Sequence, residues 1–153
     1  MDYACELIER EAEPVLSVRT RAAVDQLPQV MGRIYGEIMT LLDKRRGYPS
    51  GPPFAAYYNM DMQDLDLEIG IPVASPQEGV GDIRPGRIPA GRFASCMYIG
   101  PYDRISAGYE TLTSWMEDQG LEPGGIAYEL YLNDPASTPP GELQTQLLFL
   151  MKD

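Results

Sequence analysis

No histidine occurs among the 153 residues, and there are only two cysteines, Cys5 and Cys96. The first absence excludes a histidine-based triad or an imidazole general base. Together they leave only two thiols and carboxylates for a zinc site, a rare ligand set. The cysteines lie far apart along the chain without CxxC spacing, which reads as buried or incidental thiols. No metal and no cofactor is expected. Apolar runs are short of the roughly 20 residues that a membrane-spanning helix needs. The start, MDYACELIEREAE, is acidic where a signal peptide would be basic and then apolar, so the cytoplasm is the expected location. Basic residues are scarce too: 12 Lys and Arg against 23 Asp and Glu leave a net charge of −11. That is the wrong sign for neutralising phosphates, and direct nucleic-acid binding is not expected. An acidic field favours cationic ligands, but charge alone names none.

What is present is a chain of single-domain size, 44% hydrophobic, with a repeated order of elements. Pro14–Thr20 (PVLSVRT) alternates with the period of a strand. From Pro28, apolar residues Val30, Met31, Ile34, Tyr35, Ile38, Leu41 and Leu42 recur at three- and four-residue steps, which predicts an amphipathic helix ending at Arg46–Gly47. Phe54–Asn59 and Asp64–Val73 read as two further strands after the turn GYPSGPP. The acidic stretch DMQDLDLE lacks the glycine and spacing of a calcium loop and reads as a solvated turn and strand face. Ala74–Gly91 is rich in turn residues and reads as a surface connection without a phosphate-binding loop. The order then returns: strand Arg92–Gly100, a helix opening after Pro101-Tyr102-Asp103 and stopping at Gly120, and strands Ile126–Asn133 and Glu142–Lys152. One domain over 1–153 is expected, with halves at about 3–73 and 88–152 joined by a linker at 74–87.

One carboxylate breaks this frame. Glu129 stands in the middle of the apolar and aromatic strand GIAYELYLNDP, and laying FAAYYNMD over YELYLND sets it against Ala55. Alternation puts Tyr128, Leu130 and Leu132 on one strand face and Ala127, Glu129 and Tyr131 on the other. The apolar set is expected under the helices, which aims Glu129 and Tyr131 away from them. A carboxylate among aromatics must be solvated, protonated, hydrogen-bonded or awaiting a cation. Pairing with Arg92 or Arg104, or a solvent-facing sheet surface, remains open at this point. Tyr57 falls on the same predicted side as Glu129. Tyr98 is ambiguous, because a one-residue slip would turn it to the other face. Tyr35, Tyr109 and Trp115, on helices, read as core in preference to a ligand box.

The pieces IPAGRFA, GPYDRI, the helix containing tyrosine and tryptophan, and YELYLNDP, all within Ile88–Pro135, resemble the second half of the GyrI-like (gyrase-inhibitor-like) small-molecule-binding family. The same family supplies the effector-binding domain of bacterial multidrug-sensing transcription regulators. The first half agrees in element order. The resemblance implies an α+β fold of two β-α-β-β modules related by a pseudo-twofold axis, an antiparallel sheet with helices on one face, and a ligand cleft on the other. It also implies an aromatic pocket for hydrophobic, cationic or planar compounds around a central glutamate, which by position is Glu129. The ligand-binding set expected here is Glu129, Tyr131, Tyr57, Tyr98 and Trp115. The chain begins almost at its first strand, so a stand-alone binding module is expected rather than a complete DNA-binding regulator. Two alternatives stand beside it: a hydrolase of electrophilic small molecules using Glu129 and a tyrosine, and a protein-interaction or gyrase-modulating role.

Overall fold

A computed structural model describes residues 3–152. It is α+β, with antiparallel strands throughout. The elements are β1 Cys5–Arg10, β2 Glu13–Ala22, α1 Leu27–Lys44, β3 Phe54–Tyr57, β4 Leu65–Pro72, β5 Arg84–Ile88, β6 Gly91–Ile99, α2 Ser106–Asp118, β7 Pro123–Tyr131 and β8 Gln144–Met151. They gather into two compact units, one of Glu11–Ala90 and the other of the residues up to Arg10 together with those from Gly91 onward.

In the Glu11–Ala90 unit the strands lie in the order β3-β4-β2-β5. Helix α1 buries Ile34, Ile38 and Leu42, a stripe at four-residue steps, against Leu16 and Val18 of β2 and Leu65, Leu67, Ile69 and Ile71 of β4. The helix ends with Arg46 at φ 56°, the Gly47 N–H donating to the Leu42 carbonyl at 2.8 Å and the Arg46 N–H to that of Asp43 at 3.1 Å. This is a Schellman closure with arginine in the left-handed position.

In the other unit the strands lie in the order β1-β6-β8-β7. Helix α2 packs Leu112 and Met116 on Ala94, Cys96 and Tyr98 of β6 and Leu147 and Met151 of β8. Its approach is close because residue 108 is glycine: a Cβ there would lie 2.9 Å from Leu147 Cδ1 and 3.0 Å from Tyr98 Cβ. Helix α2 closes like α1, the Leu121 N–H donating to the Met116 carbonyl at 2.9 Å, but with Gly120 at φ 68° in the left-handed position.

Both units contain a β-α-β-β run, β2-α1-β3-β4 and β6-α2-β7-β8. Two strands depart from the sequence reading. Residues 5–10 form β1 on β6, and the segment read as a surface connection contains β5 on β2. Each therefore pairs away from its neighbour in sequence: β1 precedes β2 but joins β6, while β5 precedes β6 but joins β2. Both lie at the end of a strand order, where one partner suffices and a strand such as RPGRI tolerates proline and glycine. Among the described residues, no helix is long and apolar enough to cross a membrane.

Candidate functional site

Strand β7 carries Glu129 directly opposite Leu147 of β8, with Ala127 opposite Phe149 and Tyr131 opposite Thr145. Leu147 belongs to the core under α2, and residues facing each other across two strands share a side. Glu129 therefore points toward α2, not away from it, which corrects the face expected from the sequence. The reason is that both faces of β7 are buried: Ala127 and Glu129 on one, Tyr128 and Leu130 on the other, where Tyr128 meets Phe93 edge to face at 6.0 Å. Alternation gives two sides but does not say which faces the helix when both are covered.

Glu129 is 8% exposed. The Tyr109 hydroxyl, reaching down from α2, donates to its Oε2 at 2.5 Å, and the Tyr131 hydroxyl donates to its Oε1 at 2.8 Å. Among the described residues no arginine or lysine pairs with it, so the alternatives of Arg92 and Arg104 fall away. Burial pushes the carboxyl above the ordinary glutamate range, and the hydrogen bonds from Tyr109 and then Tyr131 pull it back in part. Both donors are neutral: they orient the carboxylate and occupy one lone pair on each oxygen, but bring no positive charge.

The aromatic surround extends from this pair. Tyr102, in the 3-10 turn Tyr102–Arg104, stands edge to face with Tyr131 at 5.6 Å, and Tyr109 is tilted against Phe149 at 5.9 Å. Burial first, then Asp134 and Glu129, raises the Tyr102 phenol above its ordinary pKa. An open depression of ≈ 370 Å³ runs along α2, lined by Ser106, Tyr109, Glu110, Thr113 and Ser114, so Tyr109 borders both solvent and the buried carboxylate. Thr145, opposite Tyr131, is fully buried, and its Oγ1 has no partner among the described residues. No group of three or more Cys, Asp or Glu residues able to hold a metal occurs among the described residues.

Of the residues singled out from the sequence, Glu129 and Tyr131 are brought together. Tyr98 is 1% exposed in the core under α2, its hydroxyl donating to the Pro101 carbonyl at 2.6 Å. Trp115 packs half-buried against the same core, and Tyr57 against the core of the Glu11–Ala90 unit. Tyr109 and Tyr102 were outside the expected set. The helical stripe gave Tyr109 a core role, and only its reach to Glu129 separates it from Tyr35, whose hydroxyl donates to the Phe54 carbonyl beside Ala55 at 2.8 Å. The alignment that set Glu129 against Ala55 also sets Tyr131 against Tyr57, and the same offset sets Tyr109 against Tyr35; of the three pairs, only the first differs in residue type.

The model of the GyrI-like small molecule binding domain matches residues 3–152. No curated protein matches the chain. Among solved structures, the EcmrR C-terminal domain superposes with a TM-score of 0.85 at 22% identity, covering 100% of this chain and 99% of that one. EcmrR in its complex with DNA gives the same TM-score at 21% identity, and there this chain spans only 58% of the EcmrR chain. A hydrolase from Listeria innocua follows at TM-score 0.75 and 15% identity, covering 99% of this chain and 93% of that one. SAV2435 bound to tetraphenylphosphonium matches at TM-score 0.69 and 10% identity, covering 99% and 94%.

Proposed function

The chain belongs to the GyrI-like small molecule binding domain family, and from that premise we propose that it binds lipophilic, aromatic cations, with Glu129 as counter-charge and Tyr109, Tyr131 and Tyr102 as aromatic walls. The observation that carries this reading is a buried carboxylate whose two partners are neutral phenols. A cation about 4 Å away at an effective dielectric near 20 would gain about 4 kcal/mol from the charge. Each tyrosine face turned to it would add about 0.5–2 kcal/mol. A neutral molecule of the same shape gains neither. SAV2435, of like fold, was captured with tetraphenylphosphonium, a cation of this class, which supports the choice of probe.

The test is a thermal-shift titration of the wild type and Glu129→Gln with tetraphenylphosphonium and with neutral triphenylphosphine oxide. At a ligand concentration about 100 times Kd, one site stabilises the fold by about 2.7 kcal/mol. In a domain of this size that raises the melting midpoint by roughly 5–10 °C. The wild type is expected to show this shift with the cation alone, and folded Glu129→Gln to lose it. Equal responses of both proteins to both ligands would remove Glu129 as the anchor.

Hydrolysis is the second reading, favoured by one contact. The short bond between the Tyr109 hydroxyl and Glu129 pairs a proton donor with a candidate general base. Mass spectrometry of electrophilic ligands after incubation separates the two, since a binder returns its ligand unaltered.

A further inference from the structure

The two cysteines, 91 positions apart in sequence, face each other across strands: Cys5 of β1 is the direct antiparallel partner of Cys96 of β6. One register step away, the Met97 N–H donates to the Ala4 carbonyl at 3.0 Å, which makes Ala4 and Met97 a hydrogen-bonded pair and Cys5 and Cys96 the non-hydrogen-bonded pair beside it. In such a pair the Cα atoms are about 4.5 Å apart with the side chains on the same side. A disulfide spans Cα separations of about 4.4–6.8 Å. Neither thiol is in a disulfide, and they differ in access: Cys5 is half-buried, while Cys96 is fully buried. Both lie on the α2 side of the sheet, in a transverse row that continues through Leu147 to Glu129.

We propose that Cys5 and Cys96 form a reversible dithiol–disulfide site that exchanges with low-molecular-weight disulfides and staples the terminal strand β1 to β6. Cys5, the accessible thiol, gives up its proton and attacks one sulfur of the small disulfide, forming a mixed disulfide and releasing one small thiol. Cys96 then gives up its proton, attacks the Cys5 sulfur, and releases the second. The protein is oxidised by two electrons and the small disulfide is reduced to two thiols. Burial, then the charge of Cys5 and its hydrogen bond, push the Cys96 thiol up to about 12. That makes Cys96 a poor nucleophile toward a reagent in solution, and the second step depends on Cys5 holding the mixed disulfide directly opposite.

The bond would matter most to β1, which lies at the end of its unit's strand order and pairs with β6. In the reduced protein, backbone pairing with β6 and side-chain contacts such as Tyr3 on Tyr98, edge to face at 5.2 Å, hold this segment. A crosslink closing so long a loop restricts the unfolded chain strongly.

The test equilibrates the native full chain in mixtures from fully reduced to fully oxidised glutathione, quenches with acid, denatures, and labels remaining thiols with N-ethylmaleimide. The wild type is expected to lose the mass of two hydrogens, take up no label, and yield a digest fragment joining the Cys5 and Cys96 peptides. Its melting midpoint should rise by several degrees and return on adding dithiothreitol. Cys96→Ser should stop at one glutathione on Cys5, without that rise. Two labelled thiols in the wild type under fully oxidised glutathione would overturn the proposal. So would a mixed disulfide that accumulates in the wild type as in Cys96→Ser, or a bond joining two molecules. These readouts are made on the wild type, and they hold whether or not the serine variant folds.

Discussion

Glu129 titrates from inside the fold, so its proton is coupled to stability. Burial raises its folded pKa above the value of about 4.3 for an exposed glutamate. Between those two values the folded protein holds more protons than the unfolded chain, and stability falls as pH rises through the window. The cost is absent below the unfolded value and complete above the folded one. In urea titrations at a series of pH values from weakly acidic to neutral, the wild type is expected to lose stability relative to Glu129→Gln as pH rises. A difference that stays flat across the series would mean that the two phenols fully offset burial. The sequence singled out Glu129 by its neighbours, but Tyr109 owes its role to one hydroxyl reaching one carboxylate, and no helical stripe records that.

Two helices of similar design end in different residues. Arg46 and Gly120 both sit in the left-handed region after the same Schellman closure. Holding a non-glycine residue there costs about 1–3 kcal/mol. Glycine removes that strain but loses about 0.5–1 kcal/mol through its freer unfolded chain. Replacing Arg46 also gives up a cation beyond the negative end of α1, worth about 0.3–1 kcal/mol. With each contribution at the middle of its range, Arg46→Gly is expected to gain about 0.6 kcal/mol, read as a higher urea midpoint at unchanged slope. A variant no more stable than the wild type would show that the arginine's charge outweighs its backbone strain. The helix stop at Arg46–Gly47 was legible from the sequence, whereas β1 and β5 were not. A strand with a single partner is specified largely by that partner, and RPGRI has little strand propensity of its own.

Over the whole molecule, the net charge of −11 adds a long-range attraction for cations to the short-range contact proposed for Glu129. The two respond differently to salt. Raising ionic strength from about 0.01 M to 0.15 M shortens the screening length from about 30 Å to 8 Å, which weakens the surface field but hardly touches a buried contact. The affinity for tetraphenylphosphonium is expected to fall with salt to a plateau still above that of triphenylphosphine oxide. In Glu129→Gln the salt dependence should persist and the plateau preference should vanish. A wild-type preference abolished by salt would assign it to net charge and not to the site.

The sequence alone determined the family, the α+β class, the order of the helices and the β-α-β-β runs, and the anomaly of a carboxylate in an apolar strand. These follow from local periodicity, turn residues and short motifs, which a chain carries along its length. Only the tertiary structure decided that Glu129 faces α2, that Tyr109 and Tyr131 hold its two oxygens, and that Cys5 stands opposite Cys96. Each of these depends on strand register and on which segments pair. A strand buried on both sides, like β7, leaves its orientation unwritten, and thiols 91 positions apart become neighbours only when β1 pairs with β6 instead of with β2, which follows it in sequence.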